Sequence, residues 1–279
     1  MRILIVDGSN LLFQMFFGMP ARIVNDDGRA IHGTLGFTGA LLKIIRMTKP
    51  THIAVLFDGE HENARSELLP EYKANRPDYS MTTEDKTPFS QFPDICAALD
   101  FLGIKYTETI DCETDDIIAA YALTYGQADE IVISSFDSDF FQLITENVSV
   151  LRYRGEKTVV CTPKYIRDKF GIAPAQYADL KSLTGDAADN IKGAHKIGAK
   201  TAAALLNEFG TLDNILTNAE RITKPSVKSS VINSAERIKI NYSIIKLDNS
   251  AALPFKIDEL EYSYSGISTN EVLRGIGLK

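Results

Sequence analysis

Three short apolar runs, RILIVD, HIAVLFD and EIVISSFD, each end in an aspartate: Asp7, Asp58 and Asp137. Their length and β-branched content mark them as buried strands. Between them lie segments with helical spacing, including NLLFQMFFGM, TLGFTGALLKIIRM and PDICAALDFLGI. Strands alternating with helices give a mainly parallel sheet, and open parallel sheets bind ligands beyond the carboxyl ends of their strands. The pattern predicts an α/β fold with three carboxylates gathered at one sheet edge. One aspartate in such a place is common, but three make chance a poor account.

Residues 111–145 add to the same kind of edge. Glu113, Asp115 and Asp116 precede or open the helical run IIAAYALTY, and Asp137 and Asp139 follow the strand EIVISSF. Each segment alone admits a structural reading. Acids in a first helical turn favour the macrodipole, and Asp–Ser–Asp after a strand makes a turn. Taken together they form a carboxylate-lined edge, which is costly without cations because like charges repel at short range. Further on, Asp186 and Asp189 stand three apart, one helical turn's spacing, beside Gly185. Gly193 and Gly198 bracket a short turn before KTAAALLNEF, whose first amide groups suit a phosphate.

A chain of 279 residues accommodates one large domain or two smaller ones. No apolar run reaches membrane-spanning length, and MRILIVDGSN lacks the features of a leader. A cytoplasmic protein without a membrane partner is expected. Cys96, Cys112 and Cys161 are widely spaced and contain no CxxC pair, which suggests neither a disulfide framework nor a zinc site. Cys96 is expected in the core, as are Phe13, Phe16 and Phe17. The net charge of −7 neither requires nor excludes a nucleic-acid partner, because residues 191–240 carry eight basic side chains against four acidic ones.

Residues 60–92 are polar, contain three prolines, and carry Arg65, Lys73 and Arg76 with Tyr72 and Tyr79. A long loop of this kind is either functional or a solvated surface. Tyrosine beside lysine, with arginine three residues on, suits stacking a base and gripping a phosphate. The stretch VSVLRYRGEKTVVCT reads as a hairpin leading into the helix YIRDKFGI, and the tail from about residue 245 is expected to pack back on the first domain.

The segments VDGSN, FDG, LPEYKANRP, CETDDIIA, SFDSDFFQL and LTGDAADNIKGAHKIGAKTA stand in the order found in one family. Together they resemble the bacterial and phage 5′ nucleases, which include flap endonucleases and the 5′-to-3′ exonuclease domain of DNA polymerase I. The resemblance runs over nearly the whole chain. It implies a PIN-like nuclease domain over residues 1–173, a mainly parallel sheet flanked by helices, with a helical arch at about 60–92. A helical, helix–hairpin–helix-type DNA-binding domain over 174–279 follows. It further implies a free-standing, monomeric nuclease acting on DNA with 5′ flaps or 5′ ends in replication or repair. Two or more Mg²⁺ or Mn²⁺ ions are implied, with room for K⁺ at the hairpin motif.

Matched by motif, Asp7, Asp58, Glu113, Asp115, Asp116, Asp137, Asp139, Asp186 and Asp189 fall on the family's acidic positions. Asp115, Asp116, Asp137 and Asp139 are expected nearest the ions, with Asp186 and Asp189 holding a second one. Hard cations prefer such oxygen ligands, and two ions about 4 Å apart activate water and stabilise the leaving oxygen. Lys73 and Arg76 fall on basic arch positions expected to neutralise charge on the phosphate, and Tyr72 on an aromatic position that stacks on substrate. Gly193, Lys196, Gly198, Lys200 and Thr201 are expected to meet DNA. The chain departs from the pattern at three places. Gln14 replaces an arginine, Gly59-Glu60-His61-Glu62 replaces a lysine-containing turn, and Lys196 replaces a glycine. These departures leave room for a catalytically weak branched-DNA-binding protein of the same fold. A PIN-type ribonuclease shares the acidic centre but lacks the hairpin motif.

Overall fold

The computed structural model describes residues 1–59, 64–75, 87–110 and 112–278. Its strands are β1 (Arg2–Asp7), β2 (His52–Asp58), β3 (Lys105–Thr109), β4 (Glu130–Ser134), β5 (Val148–Arg152) and β6 (Val159–Cys161). They form one sheet in the order β3-β2-β1-β4-β5-β6. The first five run parallel, and β6 returns antiparallel to β5. The chain builds from β1 outward to β2 and β3, then crosses back to place β4 on the other flank of β1. Strand order therefore reverses between β1 and β4, which opens a crevice beyond their carboxyl ends. Val6 is in register with Ser134, so Asp7 and the residues after β4 share that crevice.

The helices before β4 are α1 (Gly8–Gly18), α2 (His32–Thr48), α3 (Ala64–Leu68), α4 (Phe92–Leu102) and α5 (Thr114–Tyr125). Side chains alternate across the strands. Leu4, Val6, Val55 and Phe57 pack one sheet face against Phe37, Leu41, Ile95 and Leu99 of α2 and α4. Ile3, Ile5, Leu56, Ile131 and Ile133 pack the other face against Ile118 and Tyr121 of α5.

The second part contains α6 (Pro163–Phe170), α7 (Tyr177–Thr184), the small hairpin β7 (Gly185–Asp186) and β8 (Ile191–Lys192), then α8 (Ala199–Phe209). It continues through α9 (Leu212–Thr217), α10 (Pro225–Asn233) and α11 (Ala235–Ile245). Leu183, Ala202, Leu206, Ile215, Val231 and Ile238 from these helices belong to the same apolar cluster as the α5 side of the sheet. The tail returns to the first part. The Tyr262 amide donates to the Thr51 carbonyl at 2.8 Å, and Val272 of α12 (Thr269–Gly275) enters the core under α2 and α4. Among the described residues no helix is long and apolar enough to cross a membrane.

Three sequence expectations are corrected by the fold. Of Phe13, Phe16 and Phe17 only Phe16 is buried, and Phe17 is 57% exposed. At about 100° per residue, α1 turns positions 11, 12 and 16 inward and leaves Phe13 and Phe17 on a flank, where they contact each other with ring centroids 6.1 Å apart. Cys96 is only half-buried, whereas Cys161 is fully enclosed. Asp186 and Asp189 do not share a helix, because α7 ends at Thr184 and Gly185 takes φ +78°. Asp186 instead ends β7, and Asp189 lies in the turn that leads to β8. A side chain at Gly185 or Gly193 would collide with the other strand's backbone, so both ends of this hairpin require glycine.

Candidate metal centre and nucleic-acid interface

The crevice between β1 and β4 opens into a cleft of about 940 Å³ whose lining includes Asp7, Asp58, Asp115, Asp137 and Lys73. Asp7 caps α1 by accepting from the Asn10 amide at 2.9 Å, and it also accepts from the Ser135 hydroxyl at 2.7 Å. Burial, reinforced by Asp58 and Asp137, still raises its pKa to about 7, despite these two hydrogen bonds. Asp58 is exposed at the end of β2 and accepts from the Thr114 amide at 3.2 Å. Asp115 is raised well above the usual carboxylate range by burial, then by Asp137 and Asp7, with Lys73 opposing. Asp137 is raised too, chiefly by burial, although the Asp139 amide donates to it at 2.8 Å.

Glu113 and Asp116 have a different fate. The Arg65 guanidinium, from α3, donates to Glu113 at 2.5 Å and to Asp116 at 2.7 Å. The ammonium of Lys73 lies 3.2 Å from the other oxygen of Glu113. The Asp248 amide adds a donor to Asp116 at 2.9 Å. Burial alone would lower the Arg65 pKa, but the two carboxylates outweigh it and raise it. Two of the three nominated acids at the start of α5 are thus matched by cations of the chain itself.

A third group is formed by Asp139, Asp186 and Asp189, all buried, with one oxygen from each within 4.8 Å of the others. Asp186 is ion-paired with Lys181 of α7 and accepts from the Ala188 amide at 2.9 Å. Asp139 Oδ1 is buried with no hydrogen-bond partner among the described residues. Its pKa is raised by burial, then by Asp137. An orphaned carboxylate oxygen facing two other carboxylates is a donor set that fits a hard divalent cation. This grouping differs from the expected one: Asp139 joins Asp186 and Asp189, while Asp115 and Asp137 join Asp7 and Asp58. Arg65 and Lys181 were not nominated from the sequence. Their partners lie 48 or more and 5 residues away, and only Lys181, one turn before Gly185–Asp186, had a local signal.

The expected DNA-facing residues are placed unevenly. Arg76 lies outside the described residues, as do Glu60, His61 and Glu62. The Tyr72 ring is 7% exposed and packs with Ala178, Ile191, Ile244 and Ile245, so it is not presented for stacking here. Lys73 sits 4.8 Å above that ring. Lys196 adopts φ +60°, the left-handed conformation that its replacement of a glycine made a concern. Gly198 caps α8 without a side-chain acceptor for the first amides, and Lys200 and Thr201 stand in that first turn. Such a helix start suits an anionic oxygen. Gln14 donates to the Tyr153 carbonyl at 2.7 Å, tying α1 to the end of β5.

Known proteins share this organisation. DNA polymerase I of Streptococcus pneumoniae is 32% identical over 271 residues, covering 94% of this chain and 30% of the polymerase. The thermostable DNA polymerase I of Thermus thermophilus is 31% identical over 258 residues, 92% of this chain and again 30% of the relative. The chain thus spans about a third of the length of these relatives. Among solved structures, the bacteriophage T5 flap endonuclease, in a pseudo-enzyme–product complex with DNA and metal ions, superposes with a TM-score of 0.72 at 22% identity. The match covers 99% of this chain and all of that one. The catalytic core of Rad2 with DNA substrate gives 0.58 at 17% identity, covering 98% and 91%. Residues 2–171 match the N-terminal resolvase-like domain of the 5′-3′ exonucleases and residues 172–266 match their C-terminal SAM fold, so the chain belongs to the 5′-3′ exonuclease family.

Proposed function

We propose that this protein is a structure-selective 5′ nuclease that hydrolyses phosphodiesters in DNA bearing 5′ flaps or 5′ ends, with Mg²⁺ or Mn²⁺ as cofactor. The observation that carries this reading is the carboxylate cleft at the sheet's switch point, whose buried acids are held close together without enough cations to match them. Asp7, Asp58, Asp115 and Asp137 would hold one ion, and Asp139, Asp186 and Asp189 a second. Bound ions would supply the charge that activates water and stabilises the leaving oxygen. Glu113 and Asp116, paired with Arg65, would shape the cleft wall and fix the start of α5.

The chain's own groups do the remaining work in this reading. Lys73 faces the cleft and would neutralise charge growing on the scissile phosphate, with Arg76 in the same role. The uncapped start of α8, with Lys196, Lys200 and Thr201 beside it, would follow the backbone of the duplex. The family membership and the DNA in the T5 and Rad2 structures support this assignment.

The test is cleavage of an end-labelled 5′-flap DNA with Mg²⁺, with Mn²⁺ and with EDTA, beside Asp115→Asn and a matched RNA flap. Metal-dependent cutting near the junction of the DNA flap, lost in Asp115→Asn, is the expected result. Tight flap binding without cutting in either metal would instead leave a DNA-recognition scaffold. Preferential cutting of the RNA flap would make it a ribonuclease.

A further inference from the structure

Lys73 takes φ +56°, a left-handed conformation that costs a non-glycine residue stability unless its surroundings impose it. The surroundings that impose it come from the turn between β7 and β8. The Lys73 amide donates to the Asp189 carbonyl at 3.0 Å. The Asn190 side-chain amide donates to the Glu71 carbonyl at 2.9 Å, and that of Asn75 to the Ala187 carbonyl at 3.2 Å. Between these bonds the Tyr72 ring is buried against Ile191. Asn190 itself holds φ +59°, so its side chain is aimed by a second left-handed residue.

We propose that Asn190 is a positioning residue for Lys73, clasping the turn at 71–75 to the loop that carries Asp186 and Asp189. The inference rests on the nuclease reading above, in which Lys73 meets the phosphate. The ammonium of Lys73 is then located relative to the acids by the second acid loop as well as by its 3.2 Å contact with Glu113. Neither asparagine carries charge, and each acts through a main-chain carbonyl of the opposite segment. Loss of the clasp removes no acid and lets Lys73 drift.

The informative substitution is Asn190→Gly, because glycine keeps the positive φ and removes only the amide. Cleavage would be measured under single-turnover conditions in the wild-type and Lys73→Met backgrounds, with amide exchange of residues 71–75 followed in parallel. The expected result is faster exchange there, with cleavage slowed about tenfold or more when Lys73 is present and less than about twofold in Lys73→Met. Asn75→Ala leaves the acid loop's sequence intact and should act in the same direction. It carries the test if Asn190→Gly does not fold. Equal loss in both backgrounds, or unchanged cleavage despite faster exchange, overturns the proposal, as does unchanged exchange. A wild type that does not cut sinks the nuclease reading and the positioning role with it, while the exchange measurement still reports whether the clasp exists.

Discussion

The start of α5 and the floor of the cleft are built from the same residue types and treated oppositely. Glu113 and Asp116 are met by Arg65 and Lys73, so their charges are balanced within the chain. Asp7 is buried, Asp115 and Asp137 are half-buried beside it, and all three respond by holding protons more tightly. A buried carboxylate either receives a cation or resists ionising. The difference teaches which acids are spent on the fold and which are kept in reserve for something the chain does not provide.

The most forceful way to break the comparison is to remove the internal cation. Arg65→Met removes the guanidinium that Glu113 and Asp116 share and should destabilise the fold by about 3 kcal/mol, read as a lower urea midpoint in EDTA. A divalent cation that recovered part of this loss would show the two sites to be interchangeable in kind. The next effect is on pH dependence. The folded pKa of Asp7 is about 7 against an ordinary 3.8, so the folded state binds the proton more tightly. Its contribution is fully present below pH 3.8 and is lost as pH rises through 7. In EDTA, stability should fall with a slope on the order of 1 kcal/mol per pH unit across that window. Asp7→Asn should flatten the slope.

Smaller changes sharpen the contrast. Asp115→Asn removes one of the crowded carboxylates, so it should raise the thermal midpoint at neutral pH in EDTA. The same substitution should abolish metal-dependent cutting, which separates stability from activity at one position. Asp58 is exposed and contributes to Asp7 only through charge. Asp58→Asn should therefore lower the Asp7 pKa by less than about one unit, measured by carboxyl NMR titration. A large change would mean that Asp58, rather than burial, is the main cause of the raised Asp7 pKa.

The placement of Asp7, Asp58 and Asp137 was legible because a parallel sheet directs every strand end to one edge, and alternation of strand and helix is written locally. The helical nature of the 114–125 segment was legible for the same reason. Arg65 was not, because its two partners lie 48 and 51 residues away and nothing local marks the chain's return. The spacing of Asp186 and Asp189 misled, since a separation of three suits both a helix and a turn, and Gly185 at φ +78° decides for the turn. Tyr72 misled because its polar neighbours suggested exposure, whereas Ile191, Ile244 and Ile245 from elsewhere in the chain enclose it. Phe17 stays outside the core because α1 carries it to the flank beside Phe13.

The apolar cluster that begins under β1 at Ile3 and runs through Ile238 of α11 to Leu260 crosses residue 171 without a break. Two family descriptions meet at that residue, yet the packed core runs across it. Each half's burial is incomplete without the other, so the molecule should lose both in a single cooperative melt. A fragment ending at 171 would uncover Phe141, whose ring lies 5.2 Å from that of Tyr177, and should aggregate. The acid loop at 186–189 and the sheet edge at Asp7 therefore rest on one continuous core, and a substrate that meets both has to span them.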